Sequence, residues 1–424
     1  MIAFLHKIYS HLRTSQYLRN LFTLTSGVGI SQLIPLFLLP ILTRFFSPED
    51  FGFFAFVMAI IQIIAISSTL RLEMAVVLPK KHKDAALLCF AAILFLSFFT
   101  IIFTILLFLL FNKTLLFKGF SYSHWVVYFI PLGVFFLGLY NILYSWNNRL
   151  ELYKKMSYSH ITHSLISTPS SILFFLLSFK SIALIIGQIV GRIFACIALC
   201  SNLYSTINQN SQDHIYSQMI ALIKQYKKFI LYETPHAILN FFSQKYIIIV
   251  FTYFFTFSSV GIFDLADKII GKPLGIISNS FKTVFYKRLT TTKDHITLFT
   301  KSISLTVFVS LTLILPLYIL PQNIFISFLG DQWNDIGIYI KLICPLFFSR
   351  FVFNVVTPTI SYTLKNHYLL IWQIIYVIML LVLFTIIQDM QVERVLFIYS
   401  FFGAFMYACL GLLSYILIRK HMNS

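Results

Sequence analysis

The chain has 424 residues, 58% hydrophobic and 11% charged, with a net charge of +18 and a mean hydropathy of +0.85. A water-soluble domain of this length cannot cover so much apolar surface with so little charge, so a soluble fold is excluded and lipid is left as the solvent. The basic excess does not point to nucleic acid, because the lysines and arginines sit in short loops rather than in one folded patch.

Inside a bilayer only helices and closed barrels satisfy the backbone. The ten-residue alternation of a barrel strand is absent, whereas apolar runs of helix-spanning length recur throughout. Met1 to Asn20 is polar and basic and the apolar run after it is too long for a cleavable signal peptide. Spans are predicted at 20–43, 51–70, 84–111, 123–145, 157–178, 181–204, 229–256, 259–281, 296–320, 336–357, 366–388 and 394–417.

The first span carries Gln32 at mid-membrane and Pro40 near its outer end, where a proline loosens the helical ladder and permits bending. Ser47, Pro48, Glu49 and Asp50 then read as a helix start, with a capping hydroxyl, a first-turn proline and acids that suit the helix dipole. Gly52 is expected to let the hairpin of the first two spans close tightly. The second span holds Gln62 and ends at Arg71 and Glu73, expected as interfacial anchors, as are Lys301 and Lys341 near other span ends. Arg192 stands near the bilayer midplane of the sixth span, after Gly187 and Gly191 at a small-xxx-small spacing that permits close helix approach. It either pairs inside its own half or reaches a cavity.

From Ser205 to Lys228 runs the longest connection, rich in Ser, Asn and Gln, which divides the spans six and six into lobes at 1–210 and 211–424. Glu233 precedes Thr234, Pro235 and His236 at the start of the seventh span, which reads as an interfacial kink or as a gate or proton site. Asn240 and Gln244 follow at mid-membrane. Lys245 lies eleven residues before Thr256 and Asp267 eleven after it, so Lys245, Asp267 and Lys268 share a depth. Asp264, Lys268 and Lys272 also sit four apart on one face. One reading is a self-neutralised cluster; the other has Lys245 and Lys268 binding an anion, with Asp264 or Asp267 setting their poise or taking a coupling cation. Arg350 lies between Pro345 and Pro358 in the tenth span, where freed carbonyls can satisfy it. Charged groups at such depth are costly, which makes them the default site candidates.

With both termini inside, the inner segments hold 20 basic residues, the outer connections 5 and the spans 7. The positive-inside rule therefore predicts cytoplasmic termini. The halves also align weakly at a constant offset of 209, which pairs Thr43 with Thr252, Gly52 with Gly261 and Phe54 with Phe263. Six spans per repeat make the repeats parallel, with a pseudo-two-fold axis along the membrane normal. The fold expected is an all-α integral membrane protein of about twelve spans.

PILTRFFSPEDFGFFAFVMAI from Pro40 to Ile60, LRLEMAVVLPKKHKDA from Leu70 to Ala85, and VGIFDLADKIIGKPLGIISNSFKTVFYKRL from Val260 to Leu289 together resemble Wzx-type O-antigen and polysaccharide flippases. These belong to the multidrug/oligosaccharidyl-lipid/polysaccharide exporter superfamily. The motifs cover spans one and two and seven and eight; elsewhere only the span count agrees. The resemblance implies alternating-access flipping of undecaprenyl-pyrophosphate-linked repeat units from the cytoplasmic to the periplasmic leaflet of a bacterial inner membrane. It implies a basic residue at Lys268 and a role in O-antigen and lipopolysaccharide biosynthesis. The implied partners are the lipid-linked oligosaccharide, the bilayer, and the polysaccharide polymerase with its chain-length machinery, with a monomer as the expected state.

Such a cargo needs a wet, cationic, hydrogen-bonding cavity, and the residues expected to line it are Lys245, Lys268, Arg192, Arg350, Gln32, Gln62 and Asn240. Asp264, Asp267 and Glu233 are the candidates for coupling or poise, and Pro40, Pro48 and Gly52 for a hinge or gate. A multidrug or cation antiporter of the same superfamily would favour acids and an aromatic cage instead. A polymerase or lipid-sugar transferase would need a larger outward segment than Pro321 to Asp335. No nucleophile and base pair stands at useful spacing, and Cys89, Cys196, Cys200, Cys344 and Cys409 all lie in apolar runs. Neither an enzyme, a metal nor a cofactor is expected.

Overall fold

The structure, a computed structural model, describes residues 16–110, 126–200, 215–227, 229–292, 294–363, 365, 367–386 and 390–423. The predicted loop basics Lys7, Arg13, Lys113, Lys118, Lys228 and Lys293, and 205–214 of the interlobe connection, lie outside the described residues. Regular structure among the described residues is helical: α1 (Gln16–Phe45), α2 (Pro48–Ser68), α3 (Leu72–Ala75), α4 (His82–Leu110), α5 (Val126–Arg149), α6 (Tyr153–Phe174), α7 (Ile182–Leu199), α8 (Ile215–Gln225), α9 (Thr234–Phe254), α10 (Phe257–Thr291), α11 (His295–Ile319), α12 (Gln322–Leu329), α13 (Ile336–Asn354), α14 (Pro358–Tyr362), α15 (His367–Ile386) and α16 (Val392–Asn423).

Over its described residues each predicted span coincides with one of the long helices; 111, 123–125, 201–204, 366 and 387–388 lie outside the described residues. Nine helices among the described residues are long and apolar enough to cross a membrane. The other three predicted spans are those that polarity or length interrupts. The seventh is a pair bent by 51° between Phe242 and Gln244. The eighth is α10, 35 residues long, with Asp264, Asp267, Lys268 and Lys272 in succession. The eleventh holds the shorter apolar stretch His367–Leu383. On α4, Phe98, Ile101, Ile105, Phe108 and Leu109 point outward, as a lipid-facing helix requires.

Two compact units divide the chain: 1–38 with 54–246, and 39–53 with 247–424. In the first unit, α6 and α7 pack most closely. A methyl on Gly191 would lie 2.8 Å from Ser167 Cβ and 2.9 Å from the His163 carbonyl, and one on Gly187 would strike Ser171 Oγ. This is the small-xxx-small contact expected from the sequence. The other side of α6 reaches α1, with Ser157 Oγ donating to the Thr23 carbonyl at 2.6 Å and Ser164 Oγ to the Ser31 carbonyl at 2.7 Å. Beneath α4 and α5, Leu72, Val76, Leu87, Leu88, Trp146 and Leu222 form an apolar cluster that anchors α3 and α8.

Glu73 departs from its expected role as an interfacial anchor. Leu70 and Arg71 adopt φ of 50° and 55°, which folds the chain back. Glu73 is thereby turned inward to 3% exposure, paired with Arg71 at 3.4 Å.

The second unit packs α10, α11 and α16 against α13, and the corner 39–53 meets α10. At that corner the Ser47 amide and hydroxyl donate to Asp50 Oδ2 at 2.9 and 2.7 Å, and the Asp50 amide donates back to Ser47 Oγ at 3.2 Å. This reciprocal cap satisfies orphan donors at the start of α2. Thr256 caps α10 in the same way, its Oγ1 accepting from the Ser259 amide at 3.3 Å. The close approach that Gly52 permits is not within the hairpin of the first two spans, as expected, but against α10. A methyl on Gly52 would strike the Phe257 carbonyl, and one on Gly261 the Pro48 carbonyl.

Candidate functional site

The segment from Pro321 to Asp335, read in the sequence as a plain outer connection, is itself folded into α12 and a single 3-10 turn. Its Trp333 Nε1 donates to the Thr43 carbonyl at 3.1 Å, and Gln332 Nε2 to the carbonyls of Thr43 and Phe46 at 2.6 and 3.3 Å. These bonds satisfy carbonyls that the end of α1 leaves open. The Trp333 ring is fully buried edge-on against Phe51, with centroids 5.1 Å apart.

Below this corner α10 carries two polar faces. On one, Lys268 Nζ lies 2.5 Å from Asp264 Oδ2 and 5.8 Å from the centroid of the Phe51 ring. Asp264 is only 4% exposed, so the ion pair offsets the cost of its buried carboxylate, while the Phe51 ring face favours the Lys268 ammonium. This is the first rung of the Asp264, Lys268 and Lys272 ladder expected at four-residue spacing; Lys272 lines the cavity on the other face.

The other face opens onto a cavity of ≈ 290 Å³ between α10 and α13. From α10 it is lined by Asp267, Gly271, Lys272, Gly275, Ser278 and Asn279, and from α13 by Phe347, Arg350, Phe351 and Asn354. A side chain at Gly275 would start in open space. Pro273, lacking an N–H, leaves the carbonyl four residues earlier without its helical donor. Ser278 Oγ is buried without a hydrogen-bond partner. The cavity thus offers a guanidinium, an ammonium, a carboxylate, two amides and a hydroxyl between two membrane helices.

Of the residues singled out from sequence, Arg350 and Asp267 meet in this cavity, whereas Lys268 and Asp264 stand on the neighbouring face of α10. Arg192 belongs to the first unit, its guanidinium 4.5 Å above the Tyr140 ring, whose hydroxyl lies 3.3 Å from His160 Nδ1. Among the described residues no carboxylate pairs with it. Lys245 is half-buried on the stretch of α9 that belongs to the first unit. Gln32, Gln62 and Asn240 are half-buried too, and Gln244 Nε2 donates to Asn240 Oδ1 at 3.3 Å. Glu233 is exposed at a π turn, Phe229–Glu233, and the sharp bend of this span falls beyond Pro235. Pro40 lies inside an α1 that continues through it, and Pro48 is buried at the start of α2.

Sequence reading missed Gly271, Gly275, Ser278, Asn279 and Asn354 and placed Lys272 only in the ladder. The signal was present as a stripe of small and polar residues at Asp267, Gly271, Gly275 and Ser278, three to four apart on one helix face. The spacing of Phe347, Arg350, Phe351 and Asn354 repeats it on α13.

Fold and cavity together define a multi-pass α-helical membrane protein with a charged, polar recess built into its helices. The chain belongs to the polysaccharide biosynthesis protein family, whose profile matches residues 41–337. Among curated proteins none matches it in sequence. Among solved structures it is similar to lipid II flippase MurJ in an inward closed conformation, at TM-score 0.71 and 14% identity, over 94% of this chain and 87% of that one. It is also similar to an inward-facing multidrug resistance MATE family transporter of the MOP superfamily, at TM-score 0.65 and 11% identity, over 95% and 94% of the two chains. An outward-facing MATE transporter matches at TM-score 0.56 and 12% identity, over 95% of each chain. What is shared at these identities is the fold, which agrees with the exporter-superfamily resemblance of the Pro40–Ile60 and Val260–Leu289 motifs.

Proposed function

We propose that this protein is a flippase that moves an undecaprenyl-pyrophosphate-linked oligosaccharide repeat unit, such as an O-antigen unit, from the cytoplasmic to the periplasmic leaflet of a bacterial inner membrane by alternating access. The observation that carries this reading is the cavity in the second unit, where Arg350, Lys272 and Asp267 line a polar recess between membrane helices. A lipid tail needs no such recess, because it can remain in the bilayer, whereas a headgroup of pyrophosphate and sugar does. Membership in a polysaccharide biosynthesis family supports a saccharide cargo.

The assignment includes Lys245, Lys268 and Arg192 as further cationic contacts and Gln32, Gln62 and Asn240 as hydrogen-bonding ones. Asp264, Asp267 and Glu233 are assigned to poise or coupling, and Pro40, Pro48 and Gly52 to hinge and gate. The lobes are 1–210 and 211–424, the termini are cytoplasmic, the protein acts as a monomer, and its product passes to a polysaccharide polymerase and chain-length machinery. A cation antiporter draws support from Asp267, but Arg350 and Lys272 outnumber it in the same cavity.

Purified protein in liposomes should move a fluorescent lipid-linked oligosaccharide to the opposite leaflet, and Arg350→Ala should slow it by about tenfold or more, the equivalent of one charge-assisted contact. No transfer by a well-folded preparation would sink the reading.

A further inference from the structure

Within the flippase reading, on which this inference rests, we propose that the cavity between α10 and α13 seats a single sugar ring of the cargo, the one nearest the lipid, rather than its pyrophosphate. Three features of the lining carry this. The first is charge. Phosphate sites gather guanidinium, ammonium and N–H donors, but here the Asp267 carboxylate lines the cavity beside Lys272 on α10, across from Arg350 on α13. A carboxylate accepts hydrogen bonds and donates none; it repels pyrophosphate oxygens and matches the adjacent hydroxyl donors of a sugar.

The second is the mixture of polar groups. Asn279 and Asn354 each offer a donor and an acceptor, and the buried Ser278 Oγ has no partner within the protein. A pyrophosphate would leave the amide oxygens unanswered, whereas ring hydroxyls, which donate and accept, answer both. Phe347 and Phe351 line the remaining wall and give the C–H face of a ring an apolar surface.

The third is size. A cavity of ≈ 290 Å³ sits at the lower edge of the roughly 300–1,000 Å³ of small-molecule sites. It accommodates one ring with its substituents and cannot enclose a repeat unit of several. Gly271 and Gly275 both line it; a methyl on Gly271 would lie 2.9 Å from the Phe347 ring, whereas one on Gly275 would meet no protein atom within 4 Å.

The test is binding, measured by native mass spectrometry on the purified full-length protein. The probes are undecaprenyl pyrophosphate without sugar and the same lipid carrying one hexose, one N-acetylhexosamine or one hexuronic acid. At least one sugar should tighten binding by about tenfold over the bare lipid. Asp267→Asn and Asn354→Ala should each remove most of that increment, read as the ratio of sugar-bearing to bare-lipid affinity. Gly275→Leu, which grows into the recess and favours helix, should abolish the increment with a thermal midpoint no lower than that of the wild type, so a folding defect cannot account for the loss. If no sugar adds affinity, or if Asp267→Asn tightens bare and sugar-bearing lipid by the same factor, the cavity is an anion seat and the inference is overturned. A measured sugar increment together with no lipid transfer in liposomes would instead count against the flippase reading and leave the sugar seat standing.

Discussion

Gly52 and Gly261, 209 positions apart, meet with bare backbone: a methyl on Gly52 would lie 2.9 Å from the Gly261 amide nitrogen, and one on Gly261 2.8 Å from the Gly52 amide nitrogen. Each follows by five residues a hydroxyl cap, Ser47 or Thr256, so equivalent helix starts of the sequence repeat cross at equivalent glycines.

Gly52→Ala should therefore destabilise strongly, because the atoms struck are backbone and no rotamer relieves them. A loss of about 3 kcal/mol or more is expected, read as a lowered unfolding midpoint in detergent. Gly275→Ala, which meets open space, should instead gain up to about 1 kcal/mol from helix propensity. Equal midpoints for the two variants would contradict the crossing.

The outer corner should respond cooperatively. Trp333→Phe leaves the Thr43 carbonyl with its Gln332 donor, so a cost near 1 kcal/mol is expected. Adding Gln332→Ala removes the donors that Trp333 and Gln332 supply to Thr43 and Phe46, and the pair should cost more than the sum of the singles. Strict additivity in a double-mutant cycle would show that the corner does not depend on these bonds.

Lys268→Met should destabilise by about 3–5 kcal/mol, because it strips the cation from a buried carboxylate. Asp264→Asn combined with Lys268→Met should recover most of that loss. If the double variant is no more stable than Lys268→Met alone, the pair is not what shelters Asp264.

Glu73 makes stability depend on pH. Burial raises its carboxyl above the ordinary 4.5, against the opposing pull of the Thr69 hydroxyl and Arg71. The folded state holds the proton more tightly than the unfolded one, so the contribution is fully present below pH 4.5 and is lost as pH rises through the higher folded value. Glu73→Gln should remove this component from a plot of unfolding midpoint against pH. A variant that keeps the wild-type slope would assign the dependence to another group.

Much of the fold was legible because span length and apolarity are local. The spans at 84–111 and 296–320 reappear as α4 and α11 with edges shifted by a residue or two. The small-xxx-small contact at Gly187 and Gly191 was legible for the same reason, since backbone approach needs only the absence of a side chain. The fate of Gly52 was not, because the partner it meets lies 209 positions later in the chain. The site was half legible. Depth from the span ends selected Arg350 and Asp267, but depth alone does not distinguish the face of α10 that pairs Lys268 with Asp264 from the face that opens at Gly271 and Gly275.

By composition and hydropathy alone, this chain is determined to be helical, to live in lipid and to bury a few costly charges, because a bilayer admits only helices and closed barrels and the apolar runs lack a barrel strand's alternation. The offset repeat likewise marked Gly52 and Gly261 as equivalent. Tertiary structure decided what those features touch. It set the two glycines against each other's backbone, hung the end of α1 on Trp333 and Gln332, sheltered Lys268 with Asp264 beside Phe51, and left Arg350 and Asp267 to share a cavity. The physical reason is that a helix's period assigns each residue to a face, while the neighbour of that face is chosen by packing with helices far away in sequence.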